Sequence, residues 1–339
     1  MRASRRPSPT GGSATLPMAI VKRVVYVVPL LIGVVSLTFV LLQLAPGDIV
    51  SASVGDYPAS EEYLAERRAA LGLDKPVVLQ YLQYLGSVFQ GDLGYSFANR
   101  QEVLPLVLER LGATLLLVVT ATAIAVTIGI PAGLLAATTR RRALDNGVNV
   151  LALIGFSIPA FWLAQMALLA FALSLGWFPT QGMTTIGVRG GTLASVLDVA
   201  SHLVLPACVV AVPETALIAR ITRSTAKGVL DSGYILTAVS KGLAHREIVR
   251  RHVMRNSLLP TVTVLGYTFG TLVGGSILVE TVFGWPGMGS LLYQAILNRD
   301  TSVVLGTVVV VAVLTLLVNV ITDIVYGIVD PRIREATSL

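Results

Sequence analysis

Charge is what this sequence has least of. Only 13% of its 339 residues are Asp, Glu, Lys or Arg, about half the share that covers the surface of a soluble domain. Hydrophobic residues make up 54% and the mean hydropathy is +0.77. A water-soluble enzyme is excluded, and so is disorder of the whole chain. The single cysteine, Cys208, rules out an intrachain disulfide and a thiolate metal centre, and reads as a small buried thiol. The three histidines, His202, His245 and His252, are not clustered as ligands. None of the four lysines (Lys22, Lys75, Lys227, Lys241) follows a glycine, so there is no phosphate-binding loop. No Ser, His or Asp stands in a nucleophile motif. The chain is expected to be non-enzymatic, with no metal and no cofactor bound by itself.

Long uncharged runs are what it has in abundance. A bilayer core takes about 20 apolar residues per helix. Uncharged runs cover Val24–Gly47, Leu111–Thr139, Asn146–Val188, Val199–Pro213, Asn256–Val279 and Thr301–Thr322. They predict an all-α polytopic membrane protein with six spans, near 20–44, 111–138, 147–175, 203–225, 257–280 and 303–328. The first run is too long for the roughly 7–15 apolar residues of a signal peptide. Residues 1–18, rich in Arg, Ser, Pro and Gly, read as a disordered tail.

Lys and Arg collect on the cytoplasmic side of membrane proteins. With the N-terminus inside, the inner segments 1–23, 139–146, 220–256 and 329–339 hold 18 of the 25 Lys and Arg. The orientation is therefore N-in and C-in. The net charge of +6 is a topology signal, and no nucleic-acid partner is expected. Two connections are long. Residues 45–110 form an outer segment with helix-like stretches around 61–71 and 76–89. Residues 226–256 form a basic inner loop within a core that spans 111–334.

The inner loop reads as two short helices. The first starts at Asp231 or Ser232 as a cap and ends at Gly242, which supplies a left-handed residue. The second, about 244–255, carries Ile248, Val249 and Val253 on one face and the i,i+4 pair Glu247–Arg251 on another. Such an element suits membrane lipid, or it suits a docking partner in the cytoplasm.

The pattern Tyr234…Thr237-Ala238…Lys241-Gly242-Leu243…Arg251-His252…Arg255-Asn256…Leu259-Pro260 resembles the coupling loop of ATP-binding-cassette importer permeases, in the dipeptide/oligopeptide (and nickel) branch. Thr237-Ala238 stands where the wider family has Ala-Ala. Pro46-Gly47-Asp48, Gly91-Asp92-Leu93-Gly94, Ser157-Ile158-Pro159, Glu280-Thr281-Val282-Phe283-Gly284-Trp285-Pro286-Gly287-Met288-Gly289 and Asp330-Pro331-Arg332 extend the resemblance over about residues 20–334.

The resemblance implies half of a translocation pathway in a bacterial or archaeal cell membrane. It implies a second, similar permease subunit, two ATP-binding-cassette ATPase subunits that use ATP and Mg, and an extracytoplasmic binding protein that delivers peptide. It makes Tyr234, Thr237, Ala238, Lys241, Gly242, Leu243, Asn256 and Pro260 the ATPase-coupling residues.

Other residues stand out on physical grounds. Gly266, Gly270 and Gly274 put small residues on one face of span five, which predicts close helix packing within the subunit or against the second permease. Glu214 sits mid-span beside Pro213, and an intramembrane charge is a functional candidate by default. A helix broken or kinked at Pro213 would let Glu214 face the pathway and meet a peptide's amino terminus. Glu280 and Asp323 lie near span ends and read as solvated structural groups. A secondary transporter driven by an ion gradient is the rival reading, with Glu214 as its ion site. The loop 182–202 shows no motif.

Overall fold

The computed structural model describes residues 16–44, 60–70, 72, 74–187 and 191–329. The tail 1–15 and the motifs at 46–48 and 330–332 lie outside the described residues, as does the side chain of Asp323. Helix α1 (Leu16–Leu44) is followed by α2 (Glu61–Ala70), α3 (Val77–Phe89) and a two-stranded hairpin, β1 (Tyr95–Ser96) and β2 (Gln101–Glu102). Then come α4 (Val103–Thr138), α5 (Arg142–Ser157), α6 (Ala160–Ala167, continued as a π-helix to Ser174) and α7 (Thr192–Leu230). The last are α8 (Gly233–Ser240), α9 (His245–Ile248), a π-helical turn at Val249–Val253, α10 (Met254–Gly275), α11 (Ile277–Val282), α12 (Met288–Leu297) and α13 (Thr301–Val329).

Among the described residues four helices are long and apolar enough to cross a membrane: Val103–Thr138, Thr192–Leu230, the merged His245–Gly275, and Thr301–Thr322. Helices α5 and α6 make a fifth span if taken together, but they are bent by 97°. The span expected near 147–175 therefore carries a sharp bend if the two helices are one span. Pro159 lacks a backbone N–H and pushes Ile158 into the extended region, where Ile158 is found at φ −72°, ψ 125°.

Three expectations are corrected. Helix α1 begins at Leu16, inside the proposed tail, with Pro17 in its first turn where no N–H partner is needed. The second membrane helix begins at Val103, not at 111. Val103, Leu106 and Val107 are buried, so packing carries the helix past the charged pair Glu109-Arg110. Residues 192–202 are the first turns of α7 rather than loop. Thr185 closes the preceding loop onto them, its N and Oγ1 both donating to Asp198 at 2.7 Å.

The longest contact in the bundle runs between α4 and α7. Gly133 makes it possible: a methyl group there would meet the Ala219 carbonyl, the Thr222 side chain and the Arg223 backbone. Three apolar cores stack along the bundle. The middle one packs Leu117 and Ala121 of α4 against Val209, Val210 and Ile218 of α7. One core lies at the basic end, around Ala137, Ala226, Ile235 and Val253. The third lies at the opposite end, around Val35, Leu106, Leu291 and Val303. Cys208, expected to be buried, is exposed. It lines an apolar groove of about 390 Å³ between α4, α5 and α7, beside Ile128, Leu151 and Val212.

Candidate functional site

The basic end carries the residues singled out as coupling residues. Helix α7 ends at Leu230, and Ser232 is extended (φ −77°, ψ 147°) before α8 starts. Neither Asp231 nor Ser232 caps α8 with its side chain; the Ser232 hydroxyl donates back to the Val229 carbonyl instead. Gly242 adopts φ +79°. Its N–H donates to the Val239 carbonyl at 2.9 Å, and the Leu243 N–H donates to the Ala238 carbonyl at 3.2 Å. These two bonds are the Schellman closure, and a left-handed glycine is what it requires.

The coupling residues divide by burial. Ala238 and Ile235 are buried, and Leu243 packs partly against the same basic-end core. Tyr234, Leu236 and Val239 stand out at 47%, 69% and 55% exposure, flanked by exposed Thr237 and Lys241. The side chain of Asn256 reaches back from α10, donating to the Tyr234 hydroxyl at 3.2 Å and to the His252 carbonyl at 2.9 Å. Pro260 lies one turn further along α10 and does not touch α8 in any hydrogen bond. The second helix of the loop is not separate, as expected, but merges through the π-helical turn into α10. The Glu247–Arg251 pair is formed, at 3.2 Å.

The stem of this element is pinned by a cluster that sequence reasoning missed. Arg223 Nη2 and Lys227 Nζ, on the last turns of α7, reach Asp145 Oδ2 at 2.9 and 2.7 Å, and Arg223 Nε reaches Oδ1. Asp145 sits in the first turn of α5, before the uncharged run begins. The Arg223 hydrogen bond, then that of Lys227, holds its carboxyl well below the usual range. A single Asp inside a basic turn was the signal for a partner.

At the opposite end the motif 280–289 forms a closed junction. Glu280 is fully buried, not solvated as expected. Its Oε1 accepts from Thr114 Oγ1 (2.8 Å) and Ser276 Oγ (2.9 Å), and its Oε2 accepts from the Ser290 N–H (3.0 Å). Thr114 in turn accepts from the Met288 N–H, and Trp285 Nε1 donates to the Ala113 carbonyl at 2.9 Å. A methyl group on Gly287 would overlap the Glu280 carboxylate. The chain folds back over the carboxylate between α11 and α12, which is why a residue at a span end is dry.

The chain matches the family described as binding-protein-dependent transport system inner membrane component over residues 129–335. The corresponding N-terminal family covers residues 18–118. The chain belongs to this family. Relatives include a di/tripeptide transport system permease protein of Pseudomonas aeruginosa, 40% identical, with 93% of this chain and 98% of the relative covered. The dipeptide transport system permease protein of Escherichia coli is 39% identical over the same shares. The fold is similar to a chain of the MetNI methionine ABC transporter in an inward-facing conformation, with TM-score 0.53, 21% identity, and 66% of this chain and 96% of that one covered.

The chain is thus a multi-pass membrane component of a transport system, not a catalytic subunit. Helix α7 runs unbroken through Pro213, so of the break or kink expected there the break is absent. Packed neighbours sustain a proline in a membrane helix. Glu214 is half-buried on α7. The glycine stripe faces α13 of the same chain. A methyl on Gly266 would overlap Thr322, one on Gly270 would lie 3.1 Å from Thr315, and one on Gly274 would lie 3.6 Å from Val311. Among the described residues no three His, Cys, Asp or Glu side chains gather as a metal site.

Proposed function

We propose that this chain is one permease subunit of an ATP-driven importer for dipeptides or oligopeptides. The observation that carries the reading is the Schellman-closed helix α8. Its buried side is held in the bundle, and Tyr234, Leu236 and Val239 are presented outward at the basic end. The chain contributes half of the pathway, with six spans oriented N-in and C-in, α1 and the bent α5–α6 pair included. A second homologous permease supplies the other half. Two ATP-binding-cassette subunits bind ATP and Mg and hydrolyse the nucleotide, and one of them receives α8 on its surface. An extracytoplasmic binding protein delivers the peptide, and the exposed, charged helix α2 (Glu61–Ala70) belongs to its docking surface. The peptide cargo is supported by relatives named for di/tripeptide and dipeptide transport across almost their whole length.

The force path follows from the geometry. A push on α8 reaches α7 through Ser232 and reaches α5 through Asp145. From α5 it passes to the bend at Ile158-Pro159 and so to α6. The buried side of α8 transmits and its exposed side receives. The test is reconstitution of the chain with its partner permease and ATPases in nanodiscs, with and without peptide-loaded binding protein. Binding-protein-stimulated ATPase activity and peptide uptake are expected, and both should fall with Gly242→Asp while the assembly stays intact. Uptake by the lone chain, driven by an ion gradient and blocked by Glu214→Gln, would overturn the reading.

A further inference from the structure

Helix α3 has three faces, and each meets a different environment. One face leans on the last turns of α1. The Phe39 ring lies 5.5 Å from that of Tyr81 and 6.4 Å from that of Tyr84, and Ser36 Oγ and Tyr81 Oη share a hydrogen bond of 2.6 Å. A second face, with Gln80, Gln83 and Ser87, lines a cavity of about 330 Å³ whose other wall is Asn298–Ser302. The third face is an apolar stripe at helical spacing, Val78, Leu82 and Phe89, exposed by 70%, 55% and 66%. No residue of α3 is buried, and its sequence VVLQYLQYLGSVF contains no charge.

The depth of this stripe is set by what α3 touches. Its partners Ser36, Phe39 and Gln43 lie inside the uncharged run of α1. The same turns of α1 leave Leu37, Leu41 and Leu44 exposed by 62%, 58% and 75%. In a membrane protein those leucines face lipid, so α3 is held at the level of lipid-facing turns. A helix of this length is marginal in water by itself.

We propose that α3 is an in-plane membrane helix, seated at the boundary between headgroups and acyl chains of the outer leaflet. Its Val78–Leu82–Phe89 stripe dips into lipid, and its Gln80–Gln83–Ser87 edge faces the hydrated cavity. The outer segment is therefore anchored on the bilayer through α3. This concerns the membrane and holds whichever solute is carried.

The experiment uses the full transporter complex in liposomes, with Cys208→Ala as background. Val78→Cys, Leu82→Cys, Phe89→Cys and Gln83→Cys each carry an environment-sensitive fluorophore. Phosphatidylcholine spin-labelled near the top of its acyl chain is expected to quench the probes at 78, 82 and 89 strongly. Aqueous iodide is expected to quench only the probe at 83. Iodide quenching at 78, 82 and 89 would overturn the proposal in favour of a water-facing surface. Shielding from both quenchers would overturn it in favour of a covering protein. The unsubstituted complex gives a second readout, since photoactivatable acyl chains should label α3 and not α2. Absence of that label would equally sink the idea.

Discussion

Helix α10 is flanked by two turns that glycine makes possible, and they are built for opposite ends. The junction at 276–290 turns inward. Its one carboxylate, Glu280, has no exposure and accepts from three donors on Thr114, Ser276 and Ser290. The turn at 233–243 turns outward. Its backbone is as fully satisfied, through the Schellman bonds at Gly242 and Leu243, yet Tyr234, Leu236 and Val239 are left exposed. A buried polar group must be paired or it costs stability, so the inner side of a knot is saturated. An apolar side chain left in water on a rigid support marks a contact yet to be made. The first turn reads as anchor and the second as receiver.

Breaking the anchor should have the largest effect. Glu280→Ala would strand two hydroxyls and a backbone N–H in the dry interior, at about 1–3 kcal/mol for each group left unpaired. Thermal unfolding of the purified complex in detergent should show a large loss, and an unchanged melting curve would contradict the anchor role. Next comes the helix between the turns. Gly266→Leu overpacks the contact with Thr322 by roughly 1–3 kcal/mol, whereas Gly274→Ala enters ordinary contact distance of Val311. Complex yield should fall for the first and hold for the second; equal yields would remove the packing argument.

Smaller effects sharpen the receiver side. Asp145→Asn removes the ion pairs that tie the stem of α8 to α5, and because Lys227 is partly exposed the stability cost should be about 1 kcal/mol. The Asp145 carboxyl is held low in the folded state, so its contribution is complete above the unfolded carboxylate range near pH 4 and fades as the pH falls below it. Melting of wild type and Asp145→Asn across pH 3–7 should therefore converge at the acid end. Convergence at neutral pH would contradict the assignment. Gly242→Ala meets open space but must hold φ +79°, a strain of about 1–2 kcal/mol. Its melting point should drop slightly and its stimulated ATPase activity more. Leu236→Ala should shift melting within about 0.5 kcal/mol while lowering stimulation by loaded binding protein. A large stability loss without a coupling defect would reverse the reading of that face.

Much of the inner turn was legible in the sequence. Gly242 after a short apolar helix, and the i,i+4 pair Glu247–Arg251, are local signals, and local signals survive folding. The Tyr234–Asn256 contact was legible only as two members of one motif, because 22 residues separate them. The junction at Glu280 was misread. Its donors come from two helices and the turn before α11, and nothing near Glu280 in sequence announces Thr114. Asp145 was missed for the same reason, as its partners lie some 80 residues away on α7. Pro213 misled because a helix breaker in water is tolerated between packed helices, while Pro159, with fewer neighbours, does bend the chain.

The sequence by itself determined the solvent. A chain with so little charge, arranged in runs of about 20 apolar residues with basic turns on one side, has only a bilayer in which to fold, and helices are what a bilayer permits. It also determined where the turns fall, since glycine and proline act on their immediate neighbours. Tertiary structure decided which polar groups are dry, which face of each helix is free, and where two charges meet. Those depend on what another helix places alongside, and no short-range pattern encodes the neighbour.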